Sequence, residues 1–182
     1  CNLIIIVATS VRADHLGADG YQRDTSPEID NFAAGSLVFG DAYAQASWTL
    51  PSGTSLLTSL YPYQHGVMNR IYRNPISEIS SSILRGDTVT LADALKNNGY
   101  ETEIFSGGFD YSPRYGVVTR FEKMFFAPQN EFNVFGYGGL NSTIPSAVQF
   151  LEKHKDKKFF LYVQGYDAHC PFNPPERFNN FM

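Results

Sequence analysis

The run Leu3-Ile4-Ile5-Ile6-Val7-Ala8 is apolar at every position and rich in β-branched residues. No polar residue alternates with the apolar ones. Such a run reads as a strand buried on both faces, which is what a parallel sheet covered by helices requires. Residues 159–163 repeat the pattern near the other end of the chain. Between them, Thr90 is placed to cap a helix over residues 91–97, Asn98-Gly99 end it, and residues 101–105 read as a further strand. This helix–glycine–strand unit is half of a βαβ repeat. The expected fold class is α/β, a mostly parallel sheet flanked by helices.

The remaining segments fill in around that frame. Ser26-Pro27 opens a short helix through about Ala34, which Gly35 ends. Residues 37–44 read as a second extended segment, and residues 63–87 as a loop-like region holding His65-Gly66-Val67. Residues 107–139 are rich in glycine and aromatics and read as an irregular loop covering the sheet. Ser142 or Thr143 starts another helix, whose Lys153-His154-Lys155 suit its carboxyl end, with His154 solvated at the surface.

At 182 residues the chain suits one domain with a sizeable core. The net charge of −4 gives no basic footprint, so nucleic-acid partners are disfavoured. No apolar run approaches the ~20 residues of a membrane span. No signal-peptide pattern opens the chain, which leaves a cytosolic, a processed or a trimmed start. Cys1 and Cys170 allow one disulfide at most and fix no compartment. Cys1 reads as the place where the chain was cut. Asn141-Ser142-Thr143 matches a glycosylation sequon but reads rather as a polar helix start.

The segment from Ser47 to Pro62 carries the chemistry. It reads as a turn feeding a helix, with Thr49 as a cap and Pro51 in the first turn. Leu56, Leu57 and Leu60 form an apolar stripe, and Pro62 is the stop. An open helix start presents N–H groups and a positive dipole end, which suit phosphate or sulfate. A hydroxyl beside that anion is placed to attack it. Taken alone, Thr49 also reads as a plain cap.

This segment resembles the nucleophile segment of the sulfatase family, in the alkaline phosphatase superfamily, where a modified Cys or Ser, or an unmodified Thr, heads a helix continuing P-S-x-x-S-L-L-T-G-x-Y-P. Arg12-Ala13-Asp14-His15-Leu16-Gly17 resembles the R-A-D-H-L-G after the family's first strand. Asp24-Thr25-Ser26-Pro27-Glu28-Ile29-Asp30 resembles its D-T-S-P-N-I-D. Asp167-Ala168-His169-Cys170-Pro171-Phe172 resembles its D-P-H-x-P-Y. The resemblance implies that residues 1–182 are the N-terminal part of a single sulfatase-like domain. It implies hydrolysis of sulfate or phosphate esters of a small molecule or glycan, with a divalent cation (Ca, Mg, Mn or Zn). Thr49 would be the nucleophile and touch the metal, His169 a second catalytic group, and Asp167 and Ser52 substrate contacts. An extracytoplasmic place, periplasmic or secreted, goes with the resemblance.

Four departures qualify what it implies. Thr9 stands where the family ends its first strand with a metal-binding Asp. Gly53 stands where the family has Arg or His. Ser59 and Ala168 replace a Gly and a Pro. No S-D-H-G-E-like segment supplies the remaining Asp-His ligands before Met182. The expectation is a hydrolase that is incomplete or inactive as this chain. The alternative is a degenerate homologue, a binding or structural module without catalysis. Transfer of a phosphate-bearing headgroup to a Thr nucleophile needs the same metal. A face left uncovered would favour self-association.

Overall fold

The computed structural model describes residues 1–69, 83–127, 138–172, 174 and 176–178. The chain divides into two compact units, Ser10–Ala44, and Cys1–Thr9 together with Gln45–Met182.

The larger unit is built on a four-stranded parallel sheet. Its strands are β1 (Leu3–Ala8), β2 (Glu101–Ser106), β3 (Lys123–Phe126) and β4 (Phe159–Gly165), in the order β1-β4-β2-β3. Leu3 pairs with Phe160 and Ala8 with Gly165, while Ser106 pairs with Gln164. The register therefore lines up the carboxyl ends of β1, β4 and β2. β4 lies inside the sheet and is buried at all its residues. That is why its sequence is a continuous apolar run.

β1 departs from expectation. Leu3, Ile5 and Val7 pack against one core cluster, but Ile4 and Ile6 are 44% and 59% exposed. The cause is position. β1 is an edge strand, and the helix on the second face, α5 (Leu140–His154), packs on β2 and β4. The side chains of β4 divide accordingly. Phe160 and Tyr162 join Leu50, Leu57 and Ile104 on the first face. Phe159, Leu161 and Val163 join Phe105, Ala147 and Phe150 on the second.

The helices are α1 (Pro27–Ala34), α2 (Thr49–Thr58), α3 (Pro62–His65), α4 (Leu91–Lys96) and α5. In α4 the sequence signal is realised in full. Thr90 Oγ1 accepts from the Asp93 N–H (3.2 Å), and Asp93 Oδ2 accepts from the Thr90 N–H (3.0 Å). This is a capping box. α5 starts at Leu140, earlier than Ser142. The reason is a distant cap, since Asp167 Oδ2 accepts the Leu140 N–H (2.6 Å). Gly139 lies there because a Cβ would overlap the Asp167 carboxylate.

Four further expectations are corrected. Residues 107–127 are not irregular. They form three short 3₁₀ turns and strand β3, and Tyr111, Tyr115, Val118 and Phe121 belong to the core. Residues 37–44 form no strand, and all of them are exposed. The loop-like region 63–87 begins inside α3, and residues 70–82 lie outside the described residues. Residues 128–137 of the aromatic-rich segment do so as well. His154 is not solvated. Its ring stacks on Phe150 at 4.1 Å, and Nε2 lies 3.0 Å from Glu101 Oε2.

The smaller unit is organised around Asp30 of α1. Its Oδ1 accepts the Ala18 N–H (2.8 Å), and Ser26 Oγ donates to Oδ2 (3.0 Å). Its helix α1 runs from Pro27 to Ala34, flanked by Ser26 and Gly35 as the sequence indicates. No helix among the described residues is long and apolar enough to cross a membrane.

Candidate active site around Thr49

α2 begins one residue earlier than the sequence indicates. Its N-cap is Trp48, extended at φ −148° and ψ 163°, and no side chain caps the start. Thr49 is therefore the first helical residue, not the cap. The first helical bond runs from the Ser52 N–H to the Trp48 carbonyl (3.3 Å). Pro51 has no N–H, so Thr49 and Leu50 hold the first-turn N–H groups without an intrahelical acceptor. Thr49 and Ser52 are both half-buried. Hydroxyls of both residues thus flank the positive end of a helix.

The buried face of α2 is Leu50, Pro51, Gly53, Thr54, Ser55 and Leu57, not the leucine stripe. Leu56 is 48% exposed. Small residues carry the contact because the helix lies close on its support. A Cβ at position 53 would overlap the Tyr111 hydroxyl. That hydroxyl bonds to Tyr162 of β4 at 2.5 Å. Burial pushes the Tyr111 phenol up to about 12 and that of Tyr162 well above its ordinary value. Both stay neutral at any physiological pH. Gly53 thus has a packing reason for lacking the side chain that the resemblance predicts. α2 ends at Ser59, which adopts the left-handed conformation (φ 58°). Pro62 does not stop α2. It opens α3 as its first residue.

Thr9 follows β1. Its N–H donates to the Gly165 carbonyl (3.0 Å), and its Oγ1 accepts from Gln164 Nε2 (2.8 Å). Gln164 Oε1 in turn accepts from Ser106 Oγ (3.2 Å), which accepts the Gly108 N–H (3.2 Å). Three strand ends are tied by one neutral ladder. Gln164 and Ser106 were not singled out by the sequence. The available signal was a polar residue closing an otherwise apolar strand.

Asp167 and His169 follow β4 and so share the carboxyl edge of the sheet with Thr9. The Asp167 carboxylate caps α5, as described. His169 Nδ1 lies 2.8 Å from the Cys170 carbonyl, and its ring meets Tyr166 edge-on at 5.6 Å. A carbonyl only accepts, so Nδ1 carries a proton there. Thr9 and Asp167 are thus engaged with Gln164 and Leu140 rather than with Thr49. Cys1 and Cys170 are both free thiols.

These donors do not fit a divalent-cation cage. Thr9 offers a neutral hydroxyl, one of whose two lone pairs already accepts an amide N–H. Among the described residues no three His, Cys, Asp or Glu side chains converge. Hard divalent ions need several oxygen donors, most of them carboxylate.

A family model described as Sulfatase matches residues 1–181. Arylsulfatase A of Bos taurus is 36% identical over 103 residues, 57% of this chain and 20% of that protein. Iduronate 2-sulfatase of Homo sapiens is 27% identical over 204 residues, 97% of this chain and 36% of that protein. A solved structure described as Ps i-CgsB in complex with k-i-k-neocarrahexaose superposes with a TM-score of 0.78. It is 22% identical and covers 100% of this chain and 49% of its own. The chain thus spans about half the length of that structure and less of the two curated relatives. The superposition carries the fold, a parallel α/β sheet shared with that structure.

Proposed function

The chain belongs to the sulfatase family, and on that premise we propose that residues 1–182 are the N-terminal part of one sulfatase-like domain that acts on sulfate or phosphate esters at Thr49. The observation that carries this is the start of α2. A hydroxyl residue occupies its first helical position, beside N–H groups that the Trp48 side chain at the N-cap leaves uncapped. In this reading the Thr49 oxygen attacks the tetrahedral sulfur or phosphorus, and the bond to the ester oxygen breaks. The Thr49 proton passes to His169 or water, the ester oxygen takes up a proton from the same source and leaves as the alcohol, and water then attacks the Thr49 ester and releases the sulfate or phosphate. Ser52 and Asp167 contact the substrate. The ester is that of a small molecule or a glycan, since the relatives include one named for aryl esters and one named for iduronate. An extracytoplasmic place accords with that substrate class.

In relatives a divalent cation neutralises the ester oxygens and activates the nucleophile. The donors around Thr9 do not fit one, and no step above passes through it. A threonine hydroxyl at its ordinary pKa is a weak nucleophile. The chain by itself is therefore expected to turn over an aryl sulfate or phosphate barely above background. Whatever rate it has should disappear in Thr49→Ala. Turnover that survives this substitution removes Thr49 from the role.

A second reading, a non-catalytic binding module, is favoured by the Thr9–Gln164–Ser106 ladder. It puts neutral bonds where a metal carboxylate is expected. Elemental analysis after dialysis against calcium, magnesium, manganese and zinc separates the two. One equivalent of ion supports the hydrolase, and none, together with sulfate binding and no turnover, supports the module.

A further inference from the structure

After α2 the chain turns back through α3, and His65 closes that short helix. His65 is 1% exposed, and the reading above gives it no part. Its Nδ1 lies 3.0 Å from the Val67 N–H. An N–H can bond only an unprotonated ring nitrogen, so the single proton of the neutral ring is on Nε2. Nε2 lies 3.1 Å from Ser55 Oγ. Ser55 lies on the buried face of α2.

A buried Ser–His pair invites assignment as nucleophile and base. The ring proton excludes it. Nε2 is the donor here and has no lone pair for the Ser55 hydroxyl proton. What the geometry does supply is a clamp. The ring grips α2 at Ser55, on the helix that Thr49 heads, and anchors that grip to the Gly66 turn, where φ is 76°.

We propose that His65 is a positioning residue for Thr49, acting as a locked neutral Nε2–H tautomer that fixes α2, the helix Thr49 heads. The proposal rests on Thr49 being the nucleophile. A displacement of about 1 Å at a reacting group can cost on the order of a hundredfold in rate.

Two conservative variants divide the bonds of the ring. Glutamine at position 65 reaches with its amide to where Nε2 sits and keeps the bond to α2. Asparagine puts its carbonyl oxygen near the Nδ1 position and keeps the bond to Val67. The expected result is a kcat loss of about tenfold or more in His65→Asn with KM little changed, and a clearly smaller loss in His65→Gln. Equal losses in the two variants would mean a merely structural role and overturn the proposal.

Nitrogen NMR of the ring needs neither variants nor activity. Pyridine-type Nδ1 and pyrrole-type Nε2 signals are expected, and a protonated Nδ1 sinks the idea. Backbone amides of Thr49, Leu50 and Ser52 should shift in His65→Asn more than in His65→Gln. If they do not, the clamp is refuted. Should the wild-type chain show no turnover, the Thr49 reading fails by itself, and the ring and amide signals still decide the role of His65.

Discussion

The two ends of one sheet finish their strands in opposite ways. At the carboxyl end, Thr9, Gln164 and Ser106 share neutral hydrogen bonds, and Gln164 and Ser106 are fully buried. At the amino end, Glu101 is held between Lys157 Nζ and His154 Nε2, with Glu103 and Lys123 nearby. The charges there act against each other. The Lys157 bond holds the Glu101 carboxyl below its ordinary value, while partial burial pushes that of Glu103 up. The ladder at the buried end is made of neutral groups alone. The exposed end is adjustable, screened by salt and nearly indifferent to any one partner. An anion site needs the first kind of floor, where preorganised dipoles do not rearrange as charge develops.

Substitutions at the two ends should therefore differ in size. The largest effect is expected just above the rigid end, at Gly53→Ala. Its Cβ overlaps the Tyr111 hydroxyl, backed by Tyr162, so urea denaturation should show a loss of about 2–3 kcal/mol. Tyr111→Phe should be less than additive with it. Gln164→Leu comes next, at about 2 kcal/mol, because it leaves the buried Ser106 hydroxyl and Thr9 without their shared partner. A loss under about 0.5 kcal/mol would mean that the ladder is not rigid.

Acid is the third probe. Burial lowers the pKa of His65, so the unfolded chain binds its proton first. Its contribution to stability is fully present above the ordinary value of 6.5 and is lost as pH falls through the folded value. Urea midpoints should decline on acidification below about 6.5, and His65→Gln should flatten that decline. The smallest effect belongs to the charged end. Lys157→Met should cost no more than about 0.5 kcal/mol, and less in high salt, because the Lys157 side chain is 56% exposed. A cost as large as that of Gln164→Leu would erase the contrast between the two ends.

Much of the fold was legible from local chemistry. The capping box at Thr90 and Asp93, the Ser26-Pro27 start of α1 and the apolar run of β4 each state their structure within a few residues. Where local signals failed, a distant contact had decided. α5 starts early because Asp167, far along the chain, caps Leu140. β3 was hidden among aromatics because it is short and its pairing with β2 is invisible locally. His154 looked like a surface residue until Glu101 and Phe150 closed around it.

For the candidate site, the resemblance of the motifs put forward Thr49, Asp167 and His169 and raised the anomaly at Thr9. They could not show that Thr9 is satisfied by Gln164, that Asp167 is spent on a helix cap, or that Gly53 clears space for a tyrosine. The sequence determined the parallel α/β class, the family and the hydroxyl at the head of α2. These follow from hydrophobic period, turn chemistry and motif order, which are properties of neighbouring residues. The tertiary structure alone decided the edge position of β1, the tautomer of His65 and the partners of every polar group at the strand ends. Those depend on which segments meet in space, and burial leaves each polar atom there to find its partner across the fold.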